Sequence, residues 1–112
     1  MPHSPRPMMI LLVGPTDQEV TADQAARRVF DIGHVPIGVA DLVRAVSSTP
    51  PPTSHLAAEM ATRLMLHCDG VLRTPGASPE ADIIIERARW EGKPVFSDHR
   101  DIPARTRQAP AG

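Results

Sequence analysis

The chain has 112 residues, enough for one domain with one modest core. Its hydrophobic share is 41%, its charged share 22% and its formal net charge −1, so no global charge argues for nucleic acid or a membrane surface as partner. Phe30, Trp90 and Phe96 are its only aromatic residues, too few for a base-stacking surface.

Residues 1–7 hold three prolines and no apolar pattern, and read as an arm. Met8 to Val13 is continuously apolar, as expected of a central parallel strand buried on both faces. The run is too short to span a bilayer and ends at Gly14-Pro15 with no small-x-small cleavage pattern, so it reads as a strand and not a signal. Gly14-Pro15-Thr16-Asp17 then breaks it with turn residues. Thr21-Ala-Asp-Gln24 has the form of a capping box, and Ala22, Ala25, Ala26, Val29, Phe30 and Ile32 give the following helix an apolar face. Gly33 suits the left-handed position that ends it.

Val35-Pro-Ile-Gly38 reads as an edge strand, since Pro36 cannot donate to a ladder. Ala40 to Val46 reads as a short helix, and Ser47 to Thr53 as a polar, proline-rich loop. Ser54 opens a helix running to about His67, with Leu56, Ala57, Met60, Ala61, Leu64 and Met65 as its buried stripe. Asp69-Gly70 turns into a short strand at Val71-Leu72-Arg73. After the Pro75-Gly76 turn, Ser78 is a good N-cap and Pro79 falls at the first helical position, where its missing N–H is harmless. Glu80 and Asp82 place negative charge at the positive end of that helix, and Gly92 ends it. Lys93-Pro94-Val95-Phe96 is a last strand, and after Ser97 the chain is polar, with at most a short turn at Asp98 to Ile102.

The order β-α-β-α-α-β-α-β predicts a single Rossmann-like three-layer α/β domain with a parallel sheet of four to five strands. It spans residues 8–97, between the arm and a polar tail at 98–112. Ligands of such sheets sit outside the carboxyl ends of the strands. Gly14 to Asp17, Pro36 to Gly38 and Thr74 to Ser78 converge there. The Ser78 helix start, with its amides and hydroxyl, suits an anion such as phosphate; the plain alternative is a well-capped helix and nothing more. Thr16 and Asp17 are ligand-facing or simply a solvated turn.

Cys68 is the only cysteine, so no intramolecular disulfide can form, and a reducing cytoplasm is the expected setting. It reads as a small buried residue. His67-Cys68-Asp69 superficially resembles a metal cluster, but adjacent side chains diverge and no second ligand pair exists, so no metal site is expected. Asp69 is a site acid or a turn acid, and both readings stay open. No G-x-G-x-x-G or Walker A pattern appears, so neither a dinucleotide nor ATP is expected as cofactor.

Several segments together resemble a known superfamily. Leu11-Leu-Val-Gly-Pro15 is similar to the opening strand of nucleoside 2-deoxyribosyltransferase-like proteins, and Gly33-His34-Val35-Pro36 to their entry into the second strand. Cys68-Asp69, Thr74-Pro-Gly76, Ser78, Ala81, Ala88, Gly92, Pro94 and Val95 resemble the signature of a small, DUF4406-like branch, over about residues 8–97. The resemblance implies binding of a nucleoside or nucleoside 5′-monophosphate and cleavage or exchange of its N-glycosidic bond. A glutamate would attack the anomeric carbon or stabilise its positive charge. It implies phosphate binding at Ser78, an acid at Asp69, no cofactor, and a homo-oligomer that completes its sites across an interface. The sequence departs from the pattern where the glutamate falls: counted back from Ala88 and Gly92, that position is Ile84. An alternative register, Thr74-Pro-Gly76-Ala77-Ser78-Pro-Glu80, makes Glu80 the nucleophile. The rival expectation is a family member without catalysis that acts as a structural or partner-binding homo-oligomer.

Overall fold

The structure, a computed structural model, describes residues 7–15, 19–38 and 54–104. Four strands, β1 (Met9–Val13), β2 (Val35–Gly38), β3 (Gly70–Arg73) and β4 (Val95–Phe96), form one sheet in the order β2-β1-β3-β4. Every neighbouring pair is parallel, with Met9 opposite Val35, Ile10 opposite Gly70 and Val71 opposite Val95. Helices α1 (Glu19–Asp31), α2 (Ser54–Met65) and α3 (Pro79–Trp90) and a 3-10 turn at His99–Asp101 complete the described elements. The protein is therefore α/β with a four-stranded, all-parallel sheet, compatible with a single Rossmann-like domain. The expected helix at 40–46 and the proline-rich loop at 47–53 lie outside the described residues.

Side-chain alternation along the central strands divides the core in two. Successive residues of a strand point to opposite faces. Leu11, Val13 and Val71 face one way, where Ala61 and Met65 of α2 and Ala81, Ile84, Ile85 and Ala88 of α3 cover them. Ile10 and Leu72 face the other way, onto Val29 of α1 and Ile102. Both central strands are thus covered on both sides, which explains the unbroken apolar run at Met8 to Val13. Pro36 is accommodated because β2 is an edge strand.

The helix ends follow their local sequence with one exception. In α1, the Gly33 amide donates to Phe30 O and the His34 amide to Val29 O. In α3, the Gly92 amide donates to Arg89 O and the Lys93 amide to Ala88 O. Both are Schellman closures, and both glycines have positive φ, 98° and 75°. The exception is the start of α1: the helix begins at Glu19, so Thr21 lies inside it and the capping box does not mark its first turn.

Packing also continues past residue 97. Asp98 caps the 3-10 turn by accepting from the Arg100 amide at 2.8 Å. Hydrogen bonds from the Arg100 side chain and amide hold its carboxyl well below the usual carboxylate range. Ile102 is buried beside Ile10, Val29 and Leu72. His34, also buried, accepts from the Met8 amide through Nδ1 at 2.9 Å, which leaves Nε2 to donate to Pro103 O at 2.5 Å. The first part of the expected polar tail therefore belongs to the folded body.

Candidate functional site

The strand order reverses direction between β1 and β3: the chain leaves β1 for β2 on one side and returns to place β3 on the other. Outside the carboxyl ends of strands at such a switch point, an open parallel sheet leaves a crevice. Gly14 and Pro15 leave β1 there, and Thr74 to Ser78 leave β3 beside them. The Thr74 amide donates to Val13 O at 2.8 Å, and its hydroxyl donates to the same oxygen at 3.3 Å. This closeness needs a glycine at position 14, because an added Cβ would fall 1.7 Å from Thr74 Oγ1.

Gly76, at φ 114°, turns the loop into α3. Ser78 is the N-cap: its backbone is extended and its Oγ accepts from the Ala81 amide at 3.2 Å. It is 7% exposed. Pro79 has no N–H, Ala81 is taken by Ser78 Oγ, and the Asp82 amide donates to Ser78 O. The Glu80 amide is therefore the first-turn donor that the cap leaves over, and Ser78 keeps its hydroxyl proton to donate.

Arg73, the last residue of β3, reaches over this loop. Its Nη2 pairs with Asp82 at 3.1 Å, and its Nη1 donates to Thr74 O at 2.5 Å. Its side chain is mostly buried, and it adds positive charge beside the α3 N-terminus. Sequence reasoning missed this residue as part of the site. The available signal was a lone arginine closing a central strand, where ligand-facing loops begin.

The site residues expected from sequence do not all meet. Gly14, Pro15, Gly76, Ser78 and Glu80 lie at the carboxyl end of the sheet. Glu80 is exposed at the helix start, and Asp82 is engaged by Arg73. Asp69 stands at the opposite end, before β3 begins. Its amide donates to Met9 O and its Oδ2 accepts from the Met9 amide, each at 2.8 Å, so it ties the starts of β1 and β3 together. The length of β3, about 13 Å, separates it from Glu80. Ile84 is buried in the apolar layer between α3 and the sheet. Thr16 and Asp17 lie outside the described residues.

Among the described residues, no group of three or more His, Cys, Asp or Glu side chains could hold a metal ion. No described helix is long and apolar enough to cross a membrane. Compared with protein-family models, with curated proteins and with solved structures, the chain matches none.

Proposed function

We propose that this protein binds a nucleoside 5′-monophosphate or a similar nucleotide at the carboxyl ends of β1 and β3. The observation that carries the reading is the Gly14–Thr74 contact at the switch point, which sets the α3 N-terminus against the end of β1. The Glu80 amide, the Ser78 hydroxyl and the Arg73 charge are the donors for a phosphate. Gly14, Pro15 and Gly76 shape the walls. The resemblance to deoxyribosyltransferase-like proteins extends the reading to N-glycosidic cleavage in a cytoplasmic setting. Glu80 is then the carboxylate at the right end of the sheet, and Asp69 holds the strands at the other.

A second reading is a nucleotide-binding or homo-oligomeric domain without catalysis. One observation favours it: the position where the resemblance expects a glutamate is Ile84, packed into the core.

The test is a thermal-shift series with nucleosides and their 5′-monophosphates, followed by chromatography for released base. A ligand that binds the native state raises its melting temperature by mass action. The expected result is a shift with monophosphates that exceeds the shift with nucleosides. Ser78→Ala lowers the starting stability by about 1 kcal/mol through loss of the cap and weakens monophosphate binding further. Base release that disappears in Glu80→Gln supports the glycosidase reading, and binding without release supports the second. No shift with any nucleotide overturns both nucleotide readings.

A further inference from the structure

Arg73 carries its charge where β3 ends, and its side chain is only 19% exposed. Nη1 donates to Thr74 O, which fixes the guanidinium over the loop. The other edge, Nε with Nη2, is a fork whose geometry matches two oxygens of one carboxylate or phosphate. Here both nitrogens share a single oxygen, Oδ1 of Asp82, at 3.4 and 3.1 Å. Charge-assisted bonds of this kind settle at about 2.7–2.9 Å. The Asp82 side chain is 70% exposed, so water already solvates most of its carboxylate. The fork is therefore closed loosely, by a group that loses little when it leaves.

We propose that Asp82 is an exchangeable counter-ion, which occupies the Arg73 fork while the site is empty and is displaced by the phosphate of the ligand. The inference rests on the proposed nucleotide site and adds a built-in competitor to it. An arriving phosphate places two oxygens on Nε and Nη2, and the Asp82 side chain turns into water. Nη1 stays on Thr74 O throughout, so the guanidinium is already oriented for the exchange. A phosphate monoester carries about −1.5 to −2 charge at pH 7, against −1 for the carboxylate, and wins the fork. A neutral nucleoside has nothing to exchange for the carboxylate and leaves the pair closed. Asp82 thus lowers the affinity for phosphate ligands alone and keeps the arginine paired in their absence.

Isothermal titration with AMP, GMP, CMP and UMP, and with the four matching nucleosides, tests this through the sign of one effect. Asp82→Asn is expected to tighten monophosphate binding about two- to fivefold, the worth of a partly exposed ion pair, and to leave nucleoside binding unchanged. An Asp82 that merely braced the loop would give the opposite sign, weaker binding in Asp82→Asn. Arg73→Gln weakens monophosphate binding, and in its background Asp82→Asn should bring no further gain, because the two residues act through one contact. Glu86→Gln removes the same charge from α3 at a residue paired with Arg89 and not with Arg73, and should leave affinity unchanged. That comparison needs no change at Arg73, so the test stands even where circular dichroism shows Arg73→Gln unfolded. Monophosphate affinity that is unchanged or weaker in Asp82→Asn overturns the counter-ion role and leaves the nucleotide site standing. An equal gain in Glu86→Gln overturns it too, since net charge alone then explains the effect. Absence of binding in both the native sequence and Asp82→Asn overturns the nucleotide site along with it.

Discussion

At the scale of single residues, the tightest constraint joins two positions far apart in sequence. Gly14 has no room for a side chain, because Thr74 Oγ1 occupies the space a Cβ would take. Gly14→Ala is expected to cost about 1–3 kcal/mol, as overpacking does. Thr74→Ala alone costs about 1 kcal/mol by removing the hydroxyl's bond to Val13 O. The pair together should cost less than the two added, because removing Oγ1 relieves most of the overlap. Some strain remains, since Thr74 Cβ and O would still lie 3.1 and 3.3 Å from the new methyl. Urea denaturation of the four proteins measures this coupling, and strictly additive costs would refute the contact. Sequence reading saw Gly14 as a loop-shaping residue but not the reason for it. The reason is a neighbour across the sheet, which no local pattern encodes.

At the scale of elements, local chemistry was legible wherever neighbours in sequence decide the outcome. The limits of α3 follow from Ser78, Pro79 and Gly92, and the edge position of β2 from Pro36. The start of α1 was misread, because Thr21 and Gln24 match a cap pattern but the helix continues towards its amino end to Glu19. After Ser97 the expected short turn is present at His99–Asp101, and only the packing of the segment was not legible. Its composition is polar, yet one residue in it, Ile102, closes the core face left open beside α1. Ile102→Ala should therefore destabilise the protein by about 2–4 kcal/mol, while Ile102→Val costs about 1 kcal/mol. Truncation after Ser97 should cost at least as much as the alanine variant, because it also removes Pro103 O from His34. Equal urea midpoints for the intact and truncated chains would show that this segment contributes nothing to the core.

At the scale of the whole molecule, parallel topology decides which residues can act together. It gathers Gly14, Gly76, Ser78 and Glu80 at one end and leaves Asp69 at the other. Asp69 directly precedes a strand, and in a parallel sheet such a residue belongs to the amino end, away from the ligand-facing loops. The residue before it supplies a probe of global stability. Cys68 is buried in the layer shared by α2, α3 and the sheet. Burial, and then the Asp69 carboxylate, push its thiol above the ordinary value of 9.0, against an opposing pull from Lys93. As pH rises past about 9, the unfolded chain gives up this proton while the folded protein keeps it. The stability contributed by the neutral thiol is therefore complete below that pH and is lost as pH rises through the raised folded value. Cys68→Ala removes this term and no other titrating thiol exists. Urea midpoints measured from pH 7 to 10.5 should fall more steeply for the native sequence than for Cys68→Ala, with the two curves parallel below pH 8. At pH 7, thiol-reagent labelling of the native protein should need opening of the core layer around Cys68, and its rate should rise with urea. Parallel midpoints up to pH 10.5 would place the thiol in contact with water, and fast labelling without urea would do the same.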